Sequence, residues 1–297
     1  MASVAESAKW FLFAVKADDA RRARYGRWIS RLRRSETRAR EAALAEVPST
    51  PLDIVARVGH HSTDGRALGG VDAVVEDVQR IRATIFKETR GDEKPYLIDY
   101  SVTGLDLSSP LLRFALSDQV VAPPARYLGM VPILSGITVL ASPYISDGPF
   151  AGSQLFHSDW EDRSQVKVFV HCSDVRPEHG PLTAVAADAS TRVKEEVDYH
   201  YGGPHFRLTD DEVLPRVGAQ DVTAFLGPVG SCTFIDTSRC LHLGSRVQRG
   251  ATERLVVQFQ YLTPAAFDLQ LASRPFSAVT GDLSPLQHLV LGAARMT

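Results

Sequence analysis

A histidine and an aspartate two positions apart, His157 and Asp159, lie in the stretch Gln154-Leu-Phe-His-Ser-Asp-Trp160, which reads as a β-strand. Side chains two apart on a strand point to the same face. The spacing therefore aims an imidazole and a carboxylate at one point. Two histidines and one carboxylate on a face, with open positions opposite, form the ligand set of non-haem Fe(II) centres. His-x-Asp also arises by chance in many chains. The pair gains meaning only if the sequence supplies a third donor and an anchor for a cofactor.

The third donor has to come from a distant strand on the facing side. The segment Asp236-Thr-Ser-Arg-Cys-Leu-His242 offers His242 directly after a strand and a turn. Next comes Glu253-Arg254-Leu-Val-Val-Gln-Phe-Gln-Tyr261, a clear strand that opens on an arginine. An unpaired buried cation is very costly, so an arginine at the start of an inner strand needs a charge partner. A small dicarboxylate that chelates a metal at one end presents its other carboxylate there, and guanidinium holds a carboxylate through two parallel hydrogen bonds. Gln258 and Gln260 share the face of Arg254, at a cavity wall or a polar barrel rim. Arg246, in a turn four residues after His242, is the weaker rival for the anchor. Strand alternation sends Phe156 and Trp160 away from His157, into core packing.

The elements that must position these residues fall into two regions. Residues 8–47 read as helix, with Tyr25, Trp28, Ile29 and Leu32 as an apolar stripe and nine arginines from Arg21 to Arg40 on the other faces. That cluster could meet an anionic partner, but a solvated helix face is the plainer reading. Leu52–Val58 reads as a strand, His60–Gly65 as a loop, and Val71–Thr89 as a second helix. Residues 109–134 begin helical, are interrupted at Pro123-Pro124 and turn extended. From about Ile133, short β-branched runs alternate with turns: 136–144, 153–160, 165–172, 182–186, 222–226, 231–236 and 253–262. Strands at this spacing suggest a sandwich or barrel. The 190–219 insert, opening with a helix over 191–199, has the length of a functional loop such as a lid. A short helix is expected at 284–294. Nothing resembles a flexible linker, so 1–297 reads as one composite domain: a helical flank (1–130), a β core (131–264) carrying the insert, and a tail (265–297).

The ordered set His157-x-Asp159, Glu178-His-Gly180-Pro181-Leu182, Gly227-Pro-Val-Gly-Ser-Cys-Thr-Phe-Ile-Asp236, His242 and Arg254 resembles the phytanoyl-CoA hydroxylase family of Fe(II)/2-oxoglutarate dioxygenases. The resemblance runs from about Leu111 to Pro264. It implies a mainly β fold, a double-stranded β-helix (jelly roll, cupin-like) with flanking helices. It implies Fe(II) on His157, Asp159 and His242, the distal carboxylate of 2-oxoglutarate on Arg254, and O2 as the oxidant. A C–H bond of a small molecule would be hydroxylated or otherwise oxidised, with succinate and CO2 formed. Related halogenases lack the carboxylate, so Asp159 points to oxygen chemistry. This chain departs from the family in two places. Ala187-Asp-Ala-Ser190 stands where Pro-Gly-Ser-His is common, and Gly244 stands where many relatives have a serine two residues after the second histidine. The second departure removes a hydroxyl expected beside Arg254, and Thr138 or Ser142 on the preceding strand could supply one instead.

Composition adds bounds. The chain has 297 residues, 44% of them hydrophobic and 23% charged, with net charge −2. This balance implies no nucleic-acid partner. Trp10–Val15 is too short to span a membrane and lacks the layout of a signal peptide. The odd number of cysteines, Cys172, Cys232 and Cys240, argues against a disulfide framework and for a reduced, cytoplasmic setting. A small-molecule substrate is expected, with a natural-product intermediate preferred because the 190–219 insert is idiosyncratic; a homo-oligomer is left open. Two rival readings keep the barrel and change the chemistry: a non-catalytic cupin-like metal- or ligand-binding protein, and a metal-dependent isomerase or hydrolase that needs neither O2 nor keto acid.

Overall fold

The computed structural model describes residues 19–84, 95–200, 205–271 and 274–292. The element order is α1 (Asp19–Leu32), α2 (Arg34–Ala42), β1 (His60–Asp64), α3 (Val71–Thr84), β2 (Ile98–Ser101), α4 (Pro110–Ala115), α5 (Asp118–Leu128), β3 (Ile133–Ser142), β4 (Val166–His171), β5 (Thr183–Val185), α6 (Ala187–Glu196), α7 (Asp210–Val213), β6 (Val222–Ala224), β7 (Ser231–Ile235), β8 (His242–Leu243), β9 (Arg254–Leu262), α8 (Phe267–Leu271) and α9 (Pro285–Val290). The strands form a six-stranded sheet, β1-β7-β4-β9-β3-β2, and a three-stranded sheet, β6-β5-β8. The strand pairs within both sheets are antiparallel.

Period-two alternation gives the large sheet two different faces. On β4, Val166, Val168 and Val170 are fully buried in the main apolar cluster, and on β9 Leu255, Val257, Phe259 and Tyr261 join it. Helices α3, α4 and α5 cover this face. Val71, Val74, Val75, Val78 and Ile81 recur at helical spacing on α3 and are all buried. The opposite parity, Lys167 and Phe169 on β4, Arg254, Gln258 and Gln260 on β9, and Thr138 and Leu140 on β3, faces a cavity closed on its other side by residues around β8. The sheets and flanking helices match the mainly β jelly-roll expectation. Among the described residues no helix is long and apolar enough to cross a membrane.

Several local expectations are corrected. Leu52–Val58 finds no strand partner and ends in a turn, with Val58 and Gly59 donating to the Val55 carbonyl. The strand is instead His60–Asp64, which pairs with β7 from His60↔Ile235 to Asp64↔Ser231. Its polar composition suits an edge strand. Helix α5 runs through Pro123 and Pro124. An interior proline costs roughly 3 kcal/mol, and burial of Val120 through Ala125 offsets that cost. The first helix divides at Arg33. Of its expected apolar stripe, Ile29 is buried and Tyr25 stacks on Phe267, whereas Trp28 and Leu32 stay exposed. Arg24, Arg27, Arg31, Arg34 and Arg38 are solvated, but Arg40 is fully buried between Glu36 and backbone carbonyls of Val131, Pro132 and Leu289. Trp10–Val15, Arg21 and Arg22 side chains and the end of the expected second helix lie outside what is described.

Candidate metal centre

The stretch carrying His157 and Asp159 is not a regular strand. It opens with a 3-10 turn over Gly152–Gln154 and then makes two isolated bridges, Phe156↔Leu208 and His157↔His242. The second bridge brings the two histidines together: His157 and His242 exchange both backbone hydrogen bonds at 2.9 and 2.8 Å. Their rings sit 4.3 Å apart, centroid to centroid. The Asp159 amide donates to the Thr237 carbonyl at 2.8 Å, which turns the carboxylate in beside them. Asp159 Oδ1 lies 3.9 Å from His157 Nε2, and Oδ2 lies 3.8 Å from His242 Nε2. One donor atom from each residue falls within 4.8 Å of the other two, close enough to share one ion.

Each imidazole is fixed in one tautomer. His157 Nδ1 is 2.9 Å from the Leu155 carbonyl, and His242 Nδ1 is 3.1 Å from the Cys240 carbonyl. A carbonyl only accepts, so Nδ1 carries the proton and Nε2 keeps its lone pair. Burial, the second imidazole and the Arg207 cation push His157 well below its usual range; burial also lowers His242. Both rings are therefore neutral. Burial alone would raise the Asp159 carboxyl, but the Lys167 ammonium beside it outweighs burial and holds Asp159 ionised.

Arg254 opens β9 on the same cavity. It is 6% exposed, and burial pulls its guanidinium down to about 10. Nη2 donates to Ser142 Oγ at 3.3 Å and to Ser245 Oγ at 3.1 Å, and the two hydroxyls meet at 2.9 Å. Nε is buried with no hydrogen-bond partner. No carboxylate reaches this cation among the described residues. That is the unmatched charge expected of a carboxylate anchor, and it fits a dicarboxylate bound between Arg254 and the donor face. The rival is already matched: Arg246 holds Asp210 through two bonds of 2.8 Å and the Gln154 carbonyl through a third.

Ser142 thus contacts the guanidinium. Thr138, two alternations earlier on β3 and opposite Gln258, lines the cavity. Ser245 is the hydroxyl that sequence reasoning missed. A Cβ at Gly244 would stand 3.4 Å from Arg254 Nη2, so that position does touch the guanidinium. The next residue supplies the oxygen instead, by adopting φ 63°. Lys167 was missed as well, although Val166, Val168 and Val170 on the core face place it on the cavity face by parity. Trp160 lines the cavity rather than the core, because the strand ends before it. Phe156 is buried as expected.

The insert is fastened around the His157–Asp159–His242 face at several points. Leu208 and Phe156 exchange backbone hydrogen bonds of 2.9 Å, the Tyr199 hydroxyl accepts from the Ser158 amide at 3.0 Å, and Asp210 pairs with Arg246. Phe206 and Arg207 are thereby brought to the cavity wall, the guanidinium stacked 4.1 Å from the Phe206 ring centre. The helix expected over 191–199 spans Ala187–Glu196. The three cysteines are free and buried.

No protein-family model matches the chain, and no curated protein matches it. Its fold has counterparts among solved structures. The epimerase SnoN, in complex with Fe3+, alpha ketoglutarate and nogalamycin RO, is 16% identical over 75% of this chain and 84% of its own, with a TM-score of 0.51. EctD from S. alaskensis, in its apoform, is 15% identical over 79% of this chain and 85% of its own, with a TM-score of 0.50. The likeness is one of fold: two facing antiparallel sheets with helices packed outside the larger one.

Proposed function

We propose that the chain is an Fe(II)/2-oxoglutarate-dependent oxygenase that oxidises a C–H bond of a small molecule. The observation that carries this reading is Arg254, a buried cation with no carboxylate partner among the described residues, on the cavity that also holds the His157–Asp159–His242 donors. The three donors would hold iron in the arrangement used by non-haem Fe(II) oxygenases. Arg254, steadied by Ser142 and Ser245, would take the distal carboxylate of 2-oxoglutarate. Iron with the keto acid and O2 supplies oxidising power as the keto acid becomes succinate and CO2.

The chain's own residues do the rest. The Leu155 and Cys240 carbonyls fix the ring tautomers, and burial keeps both rings neutral. Phe206, Trp160 and Phe169 give the cavity apolar wall, while Thr138, Gln258 and Gln260 offer hydrogen bonds to orient a substrate. A cavity of about 430 Å³ suits a small molecule. The fastened insert supports a dedicated substrate such as a natural-product intermediate, and SnoN was solved with nogalamycin RO. SnoN, of similar fold, is an epimerase, and C–H oxidation covers such outcomes as well as hydroxylation.

The test is anaerobic titration of the purified chain with Fe(II), then 2-oxoglutarate, followed by O2-dependent succinate formation. Binding and succinate that His157→Ala abolishes are expected. A chain that neither binds the metal nor forms succinate, with His157→Ala unchanged from wild type, overturns the reading.

A further inference from the structure

Lys167 is a lysine on the inner face of the central strand β4, opposite Ile235 on β7 and Gln260 on β9. It is 7% exposed. Its ammonium donates to Asp159 Oδ2 at 2.7 Å and stands 3.6 Å from Glu161 Oε1. Glu161 is itself held from behind, since Gln165 Nε2 donates to its Oε2 at 3.1 Å and Gln260 donates to Gln165 at 2.9 Å. A buried ammonium that gave up these carboxylates would be an unpaired, desolvated charge, a strongly unfavourable state. The lysine is therefore fastened to Asp159 by its own desolvation.

The two Asp159 oxygens differ in consequence. Oδ1 faces His157 Nε2 at 3.9 Å and carries no hydrogen bond among the described residues. Oδ2 faces His242 Nε2 at 3.8 Å but belongs to Lys167. A carboxylate with both oxygens turned toward the donor face would otherwise be free to bind an ion through either or both. We propose that Lys167 is a positioning residue that reserves Oδ2, so that Asp159 gives a metal only Oδ1 and a further coordination position stays open for small ligands. This rests on the metal reading above. It also gives Lys167 an opposite effect on two ligands: its charge opposes the cation it helps to seat, and it favours the dianionic keto acid that fills the open positions.

The test uses the full chain as wild type, Lys167→Met and Lys167→Arg, titrated anaerobically with Co(II) and then 2-oxoglutarate by calorimetry, with the Co(II) visible bands recorded at each stage. For Lys167→Met, Co(II) affinity equal to or tighter than wild type is expected. Its 2-oxoglutarate affinity should fall by about tenfold or more, the scale on which partners of metal ligands act. The Co(II) bands should shift as a second carboxylate oxygen enters, and Lys167→Arg, which keeps the cation, should recover most of the keto-acid binding. Should Lys167→Met unfold, the charge-balanced pair Lys167→Met with Glu161→Gln is read in its place, with the same expectations. The inference is overturned if Lys167→Met binds both ligands as wild type does. It is equally overturned if metal and keto-acid affinities fall together with the melting temperature and Lys167→Arg does not recover them. Failure of wild type to bind Co(II) overturns the metal reading itself, so the two failures are told apart by the wild-type titration.

Discussion

Arg254 Nη2 and Ser245 Oγ lie 3.1 Å apart, and Ser245 reaches that position from a left-handed backbone, φ 63°. A non-glycine residue there costs about 1–2 kcal/mol, so the surroundings must impose it. Gly180 does so. Its carbonyl accepts the Ser245 amide at 3.0 Å, and its own φ of 60° lets the two backbones touch. A Cβ on Gly180 would come within 2.4 Å of the Arg246 nitrogen, a backbone atom that cannot swing aside. Gly180→Ala should push the 244–247 loop away, destabilise the fold by roughly 1–3 kcal/mol and weaken 2-oxoglutarate binding while leaving metal binding near wild type. Urea denaturation and the two titrations measure this; an unchanged keto-acid affinity would separate Ser245 from the anchor.

Arg254→Leu should split stability from binding. Removing the guanidinium takes away a buried cation whose Nε has no partner, so the ligand-free protein should melt at or above the wild-type temperature. Keto-acid binding should fall by roughly 2–5 kcal/mol, the usual cost of truncating one partner of a buried charge pair. Metal binding should change little, because Arg254 is not among the grouped donors. A lower melting temperature with unaltered keto-acid binding would mark Arg254 as structural, and absence of keto-acid binding in wild type as well would favour a barrel that binds no keto acid.

What could be read from the chain before its fold was what alternation and order encode. His157, Asp159, His242 and Arg254 were found because their types and sequence order constrain one another, and the structure brings all four to one cavity. Parity in Val166–His171 marks Lys167 and Phe169 as inward. Other features had no local signal. The pairing of Lys167 with Asp159 closes across an irregular loop. Ser245 reaches Arg254 only through a backbone conformation that Gly180 makes possible. Strand β8 has two residues and is defined by its neighbours. Strand β1 is polar because an edge exposes it, and α5 keeps its prolines because burial outweighs propensity.

His171 gives a pH signature that can be read without any ligand. It ends β4 on the cavity side, 4% exposed. Burial, and then the nearby Arg254 cation, push its imidazole down to about 4. The ring is near 6.5 in an unfolded chain. Above that pH both states hold it neutral and it adds no pH dependence. As pH falls through 6.5, the unfolded chain takes up the proton and the folded one does not, so stability is lost until the folded ring titrates near 4. The loss should approach roughly 3 kcal/mol at the acid end. His157 and His242 add losses of the same sign, so the His171 share is isolated as a difference. Unfolding free energies of wild type and His171→Gln, measured by urea between pH 7.5 and 4.5, should converge or cross as the pH falls, with wild type losing more. Parallel curves would mean that the folded ring takes up its proton as readily as the unfolded one. Neither burial nor the Arg254 cation would then be acting on the ring.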